Sequence, residues 1–160
     1  MIKIKIIALS KLKEKYLAEA QSEYLKRLSA HAAVEVIEIE PVRLPENPSN
    51  LEIAKALTAE AEAIKKKIPT QATVVAMCIE GKKLSSEAFA ETMQNKINGG
   101  SGTFVYIIGS SFGLSPEIKA MADIKLSFSD MTFPHQLFRV MLLEQIYRAF
   151  KINEGSKYHK

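Results

Sequence analysis

Strand-like and helix-like hydrophobic patterns alternate along the whole chain, and this alternation restricts the fold more than any other feature of the sequence. Short runs that are apolar, or that alternate with polar residues, predict strands at residues 2–9, 33–40, 72–80, 103–108 and 123–128. Between them, apolar residues recur at the spacing of helices with one buried face. Strands that alternate with helices are typical of a parallel sheet covered by helices. The sequence therefore predicts an α/β protein with a mostly parallel sheet flanked by helices.

Residues that favour helix starts mark the boundaries of the predicted helices. Ser49 and Glu52 form a capping box, in which each side chain satisfies a backbone N–H group of the first turn. Ser85 is the expected cap of the next helix, and Ser115 with Pro116 are the cap and first residue of a short one. The predicted helices cover residues 12–28, 51–68, 86–97, a short segment from residue 116, and 134–151.

Length and composition limit the classes of protein to which this chain can belong. Its 160 residues fit one domain with its own core, so we expect residues 1–160 to form a single domain. No run approaches the roughly 18 apolar residues of a membrane span, and the N-terminus lacks the pattern of a signal peptide. The only cysteine, Cys78, excludes an internal disulfide. We therefore expect a cytoplasmic protein without a membrane segment.

Charge and metal-binding residue types do not by themselves identify a partner. A net charge of +4 is compatible with nucleic acid, but it is also common in proteins that bind none. The three histidines lie far apart in the sequence, and neither HxxxH nor CxxC spacing occurs, so we expect no metal site. Cys78 lies inside an apolar strand, where a thiolate is unfavourable, so we expect no cysteine nucleophile.

Three loops that follow predicted strands have unusual compositions. In open α/β sheets, ligands bind where the carboxyl ends of neighbouring strands meet. Gly109 and Gly113 bracket small residues in the second loop, and the backbone amides between them suit an anion or an adenine edge. This stretch, GSSFG, has neither the GxGxxG fingerprint nor a Walker loop. The sequence thus predicts a ligand site without naming its ligand, built from loops 77–83, 108–116 and 128–134.

The last predicted helix is apolar on most of its surface and has two small polar faces. His135 and Arg139 are four residues apart on one face, while Glu144 and Arg148 share the opposite face and are expected to pair. One side of a sheet cannot cover so much apolar surface, so we expect part of the helix to meet a second copy of the chain. His135 fits either a functional group or a satisfied histidine at a helix start. Arg139 fits either ligand binding or an interface salt bridge.

The C-terminal tail has two interpretations. Tyr158 and His159 are groups that transfer protons and stack on bases, and Lys157 and Lys160 carry charges that suit phosphate. Chain ends, however, are more often frayed and without function. The tail residues alone leave both interpretations open.

Several long motifs carry a family resemblance. They are IGSSFGLSPEI at 108–118, LSFSDMTFPHQLFRVMLLEQIYRAFKI at 126–152 and the terminal YHK, together with IKIIALSKLKEKY and EGKKLSSEAFA. Over essentially its whole length the chain resembles the ribosomal RNA large subunit methyltransferase H family of the SPOUT class. The resemblance implies a C-terminal trefoil knot, a homodimer and S-adenosylmethionine as methyl donor. It places the cofactor positions at Met77, Gly109, Phe128, Ser129, Asp130, Met131, Thr132 and Phe133, to which we add Gly113.

The resemblance also implies a reaction, the methylation of N3 of a pseudouridine in the helix 69 loop of 23S ribosomal RNA on the assembled ribosome. N3 carries a proton that leaves before or during its attack on the methyl group, and a general base adds roughly 100- to 10,000-fold to such a rate. The candidate bases are His135, Tyr158 and His159, and the sequence does not choose among them. Arg139 is the candidate for holding RNA phosphate or the substrate base across the dimer junction.

Two alternatives from other classes fit parts of the same pattern. A ribosome-binding factor without catalytic activity would keep the basic surface but would not bind S-adenosylmethionine. A flavodoxin-like nucleotide-binding protein has the same order of strands and helices along the chain, and bound flavin and a monomeric mass would identify it. Both alternatives account poorly for the composition of the third loop.

Overall fold

Residues 1–159, the part of the chain that the structure describes, form a sheet with helices on both faces. In this computed structural model the strands are β1 (Ile2–Ala8), β2 (Ala32–Glu38), β3 (Thr73–Lys83), β4 (Thr103–Ile108) and β5 (Ile124–Ser127). The helices are α1 (Lys15–Leu28), α2 (Asn50–Lys65), α3 (Ser86–Asn98), α4 (Pro116–Met121) and α5 (His135–Asn153). The predicted alternation of strands and helices is confirmed.

The strand order in the sheet is β2-β1-β4-β3-β5, and every neighbouring pair of strands is parallel. A flavodoxin-like fold has the order 2-1-3-4-5 instead. Here β4 lies between β1 and β3, and β5 pairs with β3 at the edge of the sheet. The order excludes the flavodoxin-like alternative, and it confirms the predicted α/β class with a parallel sheet.

Both faces of the central strands are buried, which explains why their sequences are almost continuously apolar. On one face, Ile4 and Phe104 belong to a core that also contains side chains of α1, α3 and α5. On the other face, Ile7 and Val105 belong to a second core, which contains side chains of α2 and α4. Two packed layers of helices therefore fix the strands, and with them the loops at the strand ends.

The predicted helix caps are confirmed. Ser49 Oγ accepts the N–H of Glu52 at 3.1 Å, and Glu52 Oε1 accepts the N–H of Ser49 at 3.0 Å. Ser85 and Ser115 each cap a helix through the hydroxyl, which accepts an N–H from three residues later in the chain. These contacts are local, so they could be predicted from spacing alone.

Helix α1 begins at Lys15, three residues later than the apolar spacing predicts. The backbone N–H groups of residues 12–14 donate to Glu38 and Gln136, which lie far along the chain. The predicted start was wrong because these long-range hydrogen bonds hold residues 12–14 as a loop.

Helix α5 packs between α1 and α3, and this packing covers most of the apolar surface that the sequence assigned to a second copy of the chain. Leu142, Leu143 and Ile146 have no exposed surface, and Leu137 is the large apolar side chain of α5 that stays open, at 39% exposed. The homodimer therefore stays a prediction. Neither α5, with 19 residues, nor any other helix within residues 1–159 has the length and apolar character of a membrane span.

Candidate active site

The second half of β3 and the loops that follow β4 and β5 lie at one edge of the sheet and enclose a cleft of about 590 Å³. We call this cavity the loop cleft. Its volume is typical of small-molecule sites. The expectation that the three segments lie together is confirmed, but the first of them, 77–83, was wrongly predicted as a loop, because β3 continues to Lys83 past an irregularity after Met77 and pairs again with β5. The lining consists of residues 77–80, 108–114, 126–129 and 131–133, with Lys119, His135 and Phe138.

Gly109 allows the loop after β4 to fold tightly against itself. A Cβ atom at this position would lie 2.5 Å from the carbonyl carbon of Gly113, closer than real Cβ atoms approach. The Gly113 N–H donates to the Ser110 carbonyl at 2.8 Å, and Gly113 itself has a φ of 82°, a conformation that favours glycine. The turn presents backbone groups to the loop cleft at a place where side chains do not fit.

A buried carboxylate fixes the start of the same turn. Glu60 on α2 is 5% exposed. Its Oε1 accepts a hydrogen bond from Ser110 Oγ at 2.9 Å, and its Oε2 accepts the N–H of Val42 at 2.9 Å. The hydroxyl of Ser110 therefore anchors the cleft loop to α2. The sequence gives no local signal for this contact, since 50 residues separate its partners.

The loop that contains residues 128–133 is held by its own serines and by one ion pair. Ser127 Oγ donates to the Ser129 carbonyl at 3.1 Å, and Ser129 Oγ accepts the N–H of Met131 at 3.0 Å. Asp130 is the exception among the predicted cofactor positions, because its side chain pairs with Lys83 at 2.5 Å and does not line the cleft. Its side chain therefore helps to hold the loop rather than to form the cavity wall.

His135, the first residue of α5, lines the loop cleft. Burial lowers the pKa of its imidazole below the ordinary value. Within residues 1–159, the ring has no hydrogen-bonding side chain or backbone partner. The imidazole is therefore neutral near pH 7, and its free nitrogen can accept a proton from a molecule in the cleft.

The sequence placed Arg139 beside a dimer junction, and that position stays a prediction. Its side chain is completely buried, and Nη1 pairs with Glu38 Oε2 at 2.6 Å. Nη1 also donates to Gln21 at 3.3 Å, and Nη2 donates to the Ser10 carbonyl at 2.9 Å. Partners from distant parts of the chain thus surround the guanidinium, while Nε has no hydrogen-bond partner within residues 1–159. The surroundings of Arg139 within one chain therefore give no support to its direct contact with RNA.

The tail residues Tyr158 and His159 lie at the other end of α5 and do not line the loop cleft. Tyr158 donates to Glu144 Oε2 at 2.7 Å, and burial together with this carboxylate raises the pKa of Tyr158 to about 12. Arg148 donates to His159 Nδ1 at 3.0 Å, and His159 Nε2 contacts Glu87 at 2.6 Å. Within one chain both candidate bases are therefore engaged elsewhere. Lys160 lies outside the described residues.

Comparison with known proteins agrees with this architecture. A family model described as "Predicted SPOUT methyltransferase" matches residues 2–159. The Ribosomal RNA large subunit methyltransferase H of Carboxydothermus hydrogenoformans is 50% identical over 159 residues, which are 99% of this chain and 100% of the relative. That of Bacillus cytotoxicus is 50% identical over 157 residues, with 98% and 99% covered. The chain belongs to the ribosomal RNA large subunit methyltransferase H family of SPOUT methyltransferases.

This SPOUT methyltransferase also has cleft residues that the sequence did not single out. Glu80 and Lys119 both line the loop cleft and form an ion pair across it, from the end of β3 to α4. Glu80 lies inside the first predicted loop, so its position was available from the sequence, but no pattern in the sequence points to Lys119. Burial, with a smaller effect of the Glu80 carboxylate, raises the pKa of the Cys78 thiol, in agreement with the expected absence of a thiolate.

Proposed function

We propose that this SPOUT methyltransferase uses S-adenosylmethionine to methylate N3 of a pseudouridine in the helix 69 loop of 23S ribosomal RNA, on the assembled ribosome. The proposal is supported by the names of its relatives, by a cleft of suitable size at the strand ends, and by a net charge of +4. A ribosomal substrate implies a cytoplasmic protein. No observation favours the non-catalytic ribosome-binding factor over the enzyme.

The residues of the loop cleft suit a donor that has an adenine, a ribose and a charged amino-acid group. Met77, Phe128 and Phe133 provide apolar surface, and the turn from Gly109 to Gly113 provides backbone hydrogen-bonding groups. Ser129, Met131 and Thr132 would hold the donor from the third loop, which Asp130 anchors to Lys83. S-adenosylmethionine, when bound, supplies a methyl group on a positively charged sulfur.

We assign the role of general base to His135. The observation that carries this assignment is that His135 lines the loop cleft, whereas Tyr158 and His159 do not. Since burial keeps the imidazole neutral near pH 7, it can accept the N3 proton of the target base as that nitrogen becomes the nucleophile. The loops around the cleft would hold the target base near the donor, and such positioning contributes to the rate.

We further propose the homodimer and the trefoil knot, both of which the family resemblance implies. Leu137 and Tyr16 are exposed apolar side chains near the contact between α5 and the start of α1, and a second copy would cover them. The knot rests on the family resemblance alone, since the strand order β2-β1-β4-β3-β5 fits an ordinary crossover from β4 to β5 as well. The mass of the native particle in solution tests the dimer, and hydrogen–deuterium exchange tests whether this surface is protected.

Transfer of a labelled methyl group tests the proposed reaction. The purified protein is incubated with radiolabelled S-adenosylmethionine and with ribosomes from a strain that lacks the enzyme, and the labelled nucleotide is then mapped. We expect label at one pseudouridine of the helix 69 loop, on N3. Ribosome binding without any transfer would instead support the non-catalytic factor, and label at another nucleotide would overturn the assigned target.

A pair of glycine variants tests the assigned donor site. Gly109→Ala introduces a Cβ atom into the Gly113 backbone, whereas at Gly102, at the start of β4, an added Cβ meets nothing within 4 Å. We expect Gly109→Ala to lower the transfer rate by about 100-fold, because a displaced loop misplaces the donor. Calorimetric titration with S-adenosylmethionine should show the same loss of affinity, and Gly102→Ala should match the wild type. Equal affinity in both variants would exclude this turn from the donor site.

A further inference from the structure

A segment outside the loop cleft carries a concentrated positive charge. Residues 10–15, with the sequence SKLKEK, connect β1 to the first residue of α1, and we call them the lysine loop. Lys11, Lys13 and Lys15 are all exposed, and the only acidic residue among them is Glu14. The function proposed above assigns no role to this loop.

The lysine loop lies next to the His135 side of the loop cleft. The N–H of Leu9 donates to the carbonyl of Ile108 at 3.1 Å, so the chain leaves β1 beside a residue that lines the cleft. Gln136, which directly follows His135, accepts the backbone N–H of Lys13 at 2.7 Å. Gln136 also accepts the backbone N–H of Glu14 at 3.3 Å. The loop is thus fixed to the first turn of α5 at the residue beside the candidate base.

The buried side chain of Arg139 holds the same loop from the interior of the protein. It donates to the carbonyl of Ser10 at 2.9 Å and to its hydroxyl at 3.3 Å. Its salt-bridge partner Glu38 accepts the N–H of Leu12 at 2.9 Å through the oxygen that also contacts Arg139. Burying a charged guanidinium is costly without a paired carboxylate and hydrogen bonds, which Nη1 and Nη2 find here while Nε has none within residues 1–159, so this network favours one conformation of the loop. The buried charge therefore determines where the exposed lysines are presented.

The lysines of this loop are free to meet an external anion. Lys11 and Lys13 form no ion pair within residues 1–159, and Lys15 only approaches Glu19 at 4.0 Å. Some lysines near the cleft or on the helices are instead paired closely with carboxylates, namely Lys65, Lys83, Lys119 and Lys151. The cleft therefore has a basic flank whose charges the chain itself does not neutralise.

We propose that the lysine loop binds phosphates of the RNA substrate, and that Arg139 is a positioning residue that acts through this loop without touching the RNA. The proposal rests on the proposed function, since it takes RNA as the substrate. Lysine contacts to phosphate fix the position of a nucleic-acid backbone without reading its sequence. Phosphates held on this flank bring an adjacent base to the His135 side of the cleft.

The double variant Lys11→Ala, Lys13→Ala tests the contact with phosphate. Its matched control is Lys66→Ala, Lys67→Ala, which removes two exposed, unpaired lysines between α2 and β3, at the amino ends of the strands. Binding to assembled ribosomes from a strain lacking the enzyme is measured at several salt concentrations. We expect about tenfold weaker binding near physiological salt, and a salt dependence that is less steep by about 0.7 for each lost contact. The control should match the wild type in both quantities.

Two results would overturn the proposal in different ways. If the wild type methylates the ribosomes and the Lys11→Ala, Lys13→Ala variant binds them with unchanged affinity and salt dependence, the lysine loop has no role in RNA binding. If the wild type neither binds nor methylates them, the proposed function fails, and the role of the loop fails with it. Calorimetric titration with S-adenosylmethionine should give the same affinity for the variant and the wild type.

Gln136→Ala and Arg139→Lys test the positioning role. Both release hydrogen bonds to the lysine loop, so we expect KM for ribosomes to rise about fivefold, comparable to the loss of one phosphate contact. The values of kcat and the affinity for S-adenosylmethionine should stay unchanged, a split that general destabilisation does not produce. Gln136 lies on the surface side of the helix start, so Gln136→Ala remains informative if Arg139→Lys does not fold. An unchanged KM in folded Gln136→Ala would overturn the positioning role.

Discussion

The two ends of α5 carry the same types of side chain in opposite surroundings. At its start, His135 faces the loop cleft without a partner, and Arg139 is buried against Glu38, which lies 101 residues away in the chain. Near its end, Arg148 pairs with Glu144 four residues earlier, and these half-buried side chains are 23% and 19% exposed. The first end depends on long-range packing, and the second on local helix geometry.

The two ends therefore differ in whether their side chains are free to react with a ligand. A histidine that lines a cavity and has no partner can exchange a proton with a ligand. At the other end of α5, Tyr158 is hydrogen-bonded to Glu144, and His159 is hydrogen-bonded to Arg148 and Glu87. Chemistry is therefore expected at the start of the helix, and docking of the tail at its end.

The largest effect is expected when the histidine at each end of α5 is replaced by glutamine. His135→Gln should lower the rate of methyl transfer by about 1,000-fold, as expected for the loss of a general base, without a change in affinity for S-adenosylmethionine. His159→Gln is the matched substitution at the tail and should stay within about threefold of the wild type, a factor far below that of a lost base. Single-turnover kinetics on ribosomes check both. A larger loss of rate in His159→Gln than in His135→Gln would assign the role of general base to His159.

A smaller effect is expected on stability when each arginine loses its carboxylate partner. Glu38→Gln leaves the buried charge of Arg139 without a counter-ion and should lower the free energy of unfolding by about 3 kcal/mol. Glu144→Gln removes the charge from the local, half-buried pair with Arg148 and should cost only about 1 kcal/mol, because the amide oxygen still accepts the hydrogen bond from Tyr158. Urea denaturation measures both. Equal losses would mean that the two ends do not differ in their dependence on packing.

A still smaller change is expected from Tyr158→Phe. The variant loses one hydrogen bond to Glu144 and should lower the free energy of unfolding by about 1 kcal/mol. Methyl transfer should be unchanged, because the raised pKa of Tyr158, about 12, makes the phenol hold its proton. A loss of transfer at unchanged stability would instead bring the tail into the reaction, in a position other than the one it occupies on α5.

The smallest expected effect is a pH dependence of the free energy of unfolding, caused by His135 at the start of α5. Because burial lowers the pKa of His135, the unfolded chain binds a proton more readily than the folded protein as the pH falls below the ordinary histidine value. The folded protein should therefore lose stability as the pH falls from about 7 through the folded pKa, and His135→Gln should remove that part of the loss. Unfolding measured at a series of pH values checks this. An identical pH dependence in the variant would show that His135 is not responsible.

Local features of this fold could be predicted from the sequence, and long-range ones could not. The Ser49 capping box and the Glu144–Arg148 pair depend on neighbours three or four residues away, and both are confirmed. The meeting of the three cleft segments was also predicted, since parallel strands bring their carboxyl ends to one edge, although residues 77–83 proved to be part of β3 and not a loop. The position of β5 beside β3, which rules out the flavodoxin-like order, depends on chain crossings that periodicity does not encode.

Arg139 illustrates what was missing. Its spacing from His135 placed both residues on one helix face, which suggested a shared role at the site. Its partners Ser10, Gln21 and Glu38 lie more than 100 residues away, so only the folded structure reveals that it is buried and paired. Residues on one helix face can thus differ completely in environment.

The most direct measurement follows the three histidine rings by NMR while S-adenosylmethionine is added. His31 stacks on Phe150 at 5.3 Å, and His159 contacts Glu87, both away from the loop cleft. We predict that the His135 resonances shift in step with binding while those of His31 and His159 stay in place. Binding that leaves His135 unmoved, or that shifts His159 instead, would contradict a donor site at the start of α5.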